Sequence, residues 1–185
     1  MSSREKKTVL RTIRITQKLD DLLNKDAQVK GIGVNALIST IMTKYTEWDR
    51  FTDKFGFISI AGGTFKSLLE AVDDEKLVDI AKELGSKMPK AVTLFWFKKM
   101  NLETFLKTIS LFQTYSGLLT NEQEINESSC TITFHHNLGQ KWSIFLRHFI
   151  SQTVKNEFGI VPQAEASENS LVLSFHVNNQ GYRQH

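Results

Sequence analysis

The sequence predicts an α+β fold in two parts, on three observations. A β-branched run stands ahead of two helical patterns, further helical patterns fill the middle, and the last third alternates like a sheet around one amphipathic helix. The 185 residues allow one or two domains, and an apolar content of 41% supplies at least one core. The expected division places residues 1–51 in a strand–helix–helix unit. Residues 52–185 follow as a helical region and a small antiparallel sheet with a packed helix.

The first expected element is a strand over Thr8–Thr16 (TVLRTIRIT), in which Ile13 and Ile15 share one face and Thr12 and Arg14 the other. Arg11 breaks the alternation in its first half. Thr16 sits where an N-cap belongs, ahead of a helix over Gln17–Lys30 with Leu19, Leu22, Leu23 and Ala27 as its apolar stripe. Gly31-Ile32-Gly33 ends that helix. A second one is expected from Val34 to Phe51, with Leu37, Ile38, Ile41, Met42, Tyr45 and Trp48 at helical spacing. A unit of this size cannot bury its own apolar faces, and a lone strand leaves its edge unpaired. A symmetric, intertwined homodimer with paired strands is therefore expected.

In the second part, Phe55–Ile60 reads as a short strand, with helices over 64–72, 74–85, 89–98 and 101–115. Pro89 fits a first helical turn and Asn101 an N-cap. The nearly all-apolar Ala91–Phe97 reads as a buried helix or a strand. Leu118–Ile125 and Cys130–His136 pattern as a hairpin through Asn126–Ser129. Gly139 opens an amphipathic helix to Phe158, and Val161–Ala166 with Ser170–Val177 make a second hairpin. No Pro- or Ser-rich linker divides the parts.

Net charge is only +3, but residues 1–60 carry +4 and residues 61–185 carry −1. Residues 1–18 hold six basic side chains against the single acid Glu5. Such an arm is an electrostatic footprint for phosphates. No apolar run approaches a membrane span and MSSREKK is not a signal peptide, so a cytoplasmic protein is expected. One cysteine supports neither a disulfide framework nor a thiolate zinc cluster.

The run R-T-I-R-I, the capped helix, G-I-G-V-N-A-L-I and the second amphipathic helix resemble the ribbon-helix-helix DNA-binding fold (Arc/MetJ/CopG type) over about residues 8–50. The continuation K-Y-T-E-W-D-R-F-x-x-K-F-G-F looks like a group of archaeal regulators with a larger C-terminal domain. The resemblance implies a paired ribbon in the major groove of double-stranded DNA, with outward strand side chains on base edges. Those positions are Thr12 and Arg14, with Leu10 as a third; Arg14 suits a bidentate contact to guanine. The resemblance also implies a phosphate at the start of the second helix, at Gly33, Val34 and Asn35. Gly33 stands there in place of the hydroxyl many relatives carry. Arg4, Lys6, Lys7 and Arg11 are the expected nonspecific phosphate contacts.

His135, His136, His148, His176 and Cys130 invite a metal reading, but their spacing does not converge three ligands, so no metal or other cofactor is expected. Cys130 reads as a small core residue. P-loop, GxGxxG, HExxH and GxSxG motifs are missing, so no enzyme is expected. The aromatic residues suit an effector pocket and core packing equally. The reading is a sequence-specific transcriptional regulator, homodimeric and extendable to a dimer of dimers, whose C-terminal part oligomerises or senses a small-molecule effector. Its rivals are an antitoxin and an assembly or small-molecule-binding protein whose ribbon only dimerises.

Overall fold

The computed structural model describes residues 9–126 and 128–176. The chain divides into two compact units, Met1–Asp53 and Lys54–His185.

In the first unit, residues 9–16 form no strand, which corrects the expected ribbon. A strand exists only where a neighbour takes its N–H and C=O groups. The described sheet is assembled from four other segments, and residues 9–16 find no strand partner in it. Its apolar residues Val9, Leu10 and Ile13 are exposed instead. The regular structure begins with α1 (Gln17–Val29), where the Thr16 hydroxyl accepts from the Leu19 N–H. After Gly31, in the left-handed region at φ +65°, α2 spans Val34–Lys44. The second helix was expected to continue regularly to Phe51. It instead widens into a π-helical turn at Tyr45–Asp49 and closes in one further turn, α3 (Arg50–Thr52).

The 3₁₀ turn Asp53–Phe55 leads into the second unit, and the strand expected at Phe55–Ile60 is absent. Gly56 at φ +65° turns the chain there, and Phe55 and Phe57 pack on the rings of Phe95, Trp96 and Phe112 in helices, not beside a neighbouring strand. Helix α4 covers Gly62–Glu70. Helix α5 runs unbroken over Asp74–Phe97, merging the two helices expected on either side of Pro89. Helix α6 (Leu102–Ser116) starts in a capping box, in which Asn101 Oδ1 accepts from the Thr104 N–H and Thr104 Oγ1 from the Asn101 N–H. The rest follows the expected order: β1 (Thr120–Ile125), β2 (Ser129–His135), α7 (Gln140–Phe158), β3 (Gln163–Ala166) and β4 (Ser170–His176).

The sheet is antiparallel throughout, in the order β1-β2-β4-β3. Strict alternation puts Cys130, Ile132 and Phe134 of β2 beside Leu171, Leu173 and Phe175 of β4 on one buried face. Leu146, Ile150 and Val154 of α7 and Phe105, Leu106 and Ile109 of α6 complete that core. Each fully buried side chain of this kind contributes about 1.5–3 kcal/mol. The opposite face carries Glu122, Thr131, Thr133, His135, Glu165 and Ser174, the polar side an antiparallel sheet turns to water.

Candidate nucleic-acid interface

The basic and apolar residues of the first unit compose the candidate site. Leu10, Arg11, Thr12 and Arg14 all lie in the irregular segment ahead of α1, and all are exposed. Thr12 and Arg14 were expected to project from one strand face; without a strand, no common face orders them. Arg4, Lys6 and Lys7 lie outside the described residues. Lys18 is exposed on the first turn of α1.

Gly33 takes the N-cap of α2 with φ −72° and ψ 149°, and its carbonyl accepts from the Leu37 N–H. No side chain caps that end, and the first turn has no acid. The N–H groups at Val34 and Asn35 therefore point outward at the positive end of the helix dipole, where an anion is favoured.

The helices bury very little of their apolar surface. In α1 and α2 only Ala27 and Leu37 are buried, with Trp48 in the π turn. Leu22 is 52% exposed and Met42 53%, and Leu19, Val29, Ile32, Ile41 and Tyr45 are exposed as well. Within one chain the sequence stripe is only partly covered, with Leu19, Leu22, Ile41, Met42 and Tyr45 of it exposed.

In the second unit His136 and Ser143 meet at the start of α7. His136 Nδ1 accepts from the Leu138 N–H at 3.3 Å, which leaves the proton on Nε2 to be donated to Ser143 Oγ at 2.9 Å. The buried Ser143 hydroxyl in turn faces the Glu168 and Ser170 carbonyls at 3.3 and 3.4 Å. A nucleophilic serine needs the reverse direction, its own proton going to the ring. This pair pins the start of α7 to the β3–β4 turn. Burial, then the neighbouring His135, holds the His136 pKa below its ordinary value. His148 is lowered by burial and by Arg147 and Lys82.

His135 and His176 do share the outer sheet face. They stand at opposite ends of it, across from Ser170 and Ser129, about 20 Å apart at the rise of a strand. Among the described residues, no three His, Cys, Asp or Glu side chains come together as a metal site. Cys130 lies fully inside the core, and desolvation pushes its thiol up to about 11. It lacks the thiolate character that redox sensing uses.

Sequence reasoning missed one feature, the pair of lysines around Phe95. Lys54 Nζ lies 5.6 Å and Lys98 Nζ 5.1 Å from the ring centroid. The residues are 44 positions apart, and no local pattern announces their meeting. Among the described residues, no helix is long and apolar enough to cross a membrane. No family model and no curated protein matches the chain.

Proposed function

We propose that the protein is a homodimeric, sequence-specific DNA-binding regulator of the cytoplasm that meets double-stranded DNA through its first unit. The observation that carries this reading is the exposed apolar surface of α1 and α2 on a unit that also presents Arg11, Arg14 and Lys18. A segment of about 45 residues with three buried apolar side chains is below the size that sustains a core alone; a second copy is the economical cover. The basic side chains then occur twice on one assembly, which raises the local field toward phosphates. The order of capped helix, glycine turn and second helix supports the resemblance over residues 17–44. Base contacts fall to Thr12 and Arg14, with Leu10 beside them, from an irregular segment rather than a ribbon.

A gel-shift series with selected duplexes tests the assignment. Arg14→Ala should cost about 1–3 kcal/mol of specific binding and relax base preference. Unchanged affinity and preference would remove Arg14 from the interface. Dimerisation without duplex binding would favour the assembly reading.

A further inference from the structure

We propose that Lys54, Lys98 and Phe95 form a phosphate contact on the second unit, placing the nucleic-acid backbone against that unit as well. This inference rests on the DNA reading above. Its starting point is a backbone outlier. Lys98 ends α5 at φ +57°, and it is the sole non-glycine residue with positive φ among the described residues. The equivalent ends of α6 and α7 are the glycines Gly117 and Gly159, at φ +68° and +69°. Glycine takes this conformation without strain, and a residue with Cβ does not. Strain kept at one position is a reason to ask what its side chain does.

The Lys98 side chain sets its ammonium over Phe95, and Lys54 brings a second ammonium to the same ring from the 3₁₀ turn. The two charges stand no farther apart than the sum of their distances to the ring centre. Neither is paired with a carboxylate among the described residues, whereas Lys87, Lys90, Lys107 and Lys141 each are. An aromatic face attracts cations without neutralising them, so both charges remain available to an anion. The negative end of the α5 dipole accounts for a cation at Lys98. It does not account for Lys54, which is not on α5. Two ammoniums on one ring, neither paired with a carboxylate among the described residues, suit the repeated charge of a phosphodiester backbone.

The test uses the full chain and a random duplex, followed by fluorescence anisotropy over a range of salt. Lys98→Gly keeps the left-handed end of α5 and removes the ammonium; Lys54→Gln removes the other. The double variant should melt no lower than the parent, and its log affinity–log salt slope should be shallower by about 1.8, the release expected for two phosphates. An unchanged slope in a folded double variant, with the parent binding DNA, overturns the proposal. A second arm titrates sodium tripolyphosphate and follows the Phe95 and Lys98 amide resonances. Should the parent bind no duplex, shifts lost in the double variant keep the anion contact while the DNA reading falls. Absence of shifts in the parent ends the proposal in either case.

Discussion

Thr153 Oγ1 on α7 donates to the Gly85 carbonyl on α5 at 2.8 Å, and that carbonyl is the one Pro89 leaves without an intrahelical partner. Proline has no N–H to return to the residue four positions back, so a mid-helix proline ordinarily kinks or ends a helix. Here a neighbouring helix supplies the missing donor, and α5 continues for two further turns.

Thr153→Val should therefore destabilise the protein by about 1–3 kcal/mol, the cost of an unpaired buried carbonyl. Adding Pro89→Ala restores an N–H to Gly85 from within α5. The double variant should recover part of the loss, a coupling that urea unfolding of the four proteins of the cycle measures. Simple additivity would contradict the relationship.

Gly85 also sets how closely the two helices approach. A Cβ there would lie 2.3 Å from the Phe149 carbonyl oxygen, and backbone cannot swing aside. Gly85→Ala should cost about 3 kcal/mol, at the severe end of overpacking, and lower the melting temperature accordingly. A melting temperature equal to the parent's would show that α5 and α7 sit farther apart.

Stability should fall as the solution is acidified through the histidine range. The folded-state pKa values of His136 and His148 lie below the unfolded value of about 6.5. The unfolded chain thus takes up protons first, and their contribution is fully present above that pH and lost as pH falls through the folded values. Protonation of His136 also removes the acceptor for the Leu138 N–H. Urea midpoints from pH 8 to pH 5 should decline, less steeply in His136→Gln; a parallel decline in both would place the effect elsewhere.

The Cys130 thiol should be inert in the folded protein. With its pKa pushed up to about 11 and no exposed surface, it should react with a disulfide reagent at pH 8 only at the rate of unfolding. Rapid native-state reaction would mean that the sheet opens locally around β2.

The second unit was legible where one period dominated: β2, β4 and α7 have single-faced patterns that only one packing satisfies. Pro89 misled because its compensation comes from Thr153, far along the chain. Phe55–Ile60 misled because Phe55 and Phe57 pack on helical rings, not beside a neighbouring strand. Residues 9–16 misled as well, since strand character depends on a neighbour and none pairs with them among the described residues. Of the candidate site, the basic residues and the α2 N-terminus were readable, since Arg14 and Gly33 are local signals. The meeting of Lys54 and Lys98 at Phe95 was not, because only the fold brings them together.

The most direct measurement is the mass of the full chain in solution, by light scattering, beside its binding to duplex DNA over a salt range. The account predicts a dimer whose log affinity falls steeply and linearly with log salt. The exposed Leu22 and Met42, changed together as Leu22→Glu and Met42→Glu, should give a monomer that binds DNA weakly. A parent protein that is monomeric, with no duplex binding at low salt, would contradict it.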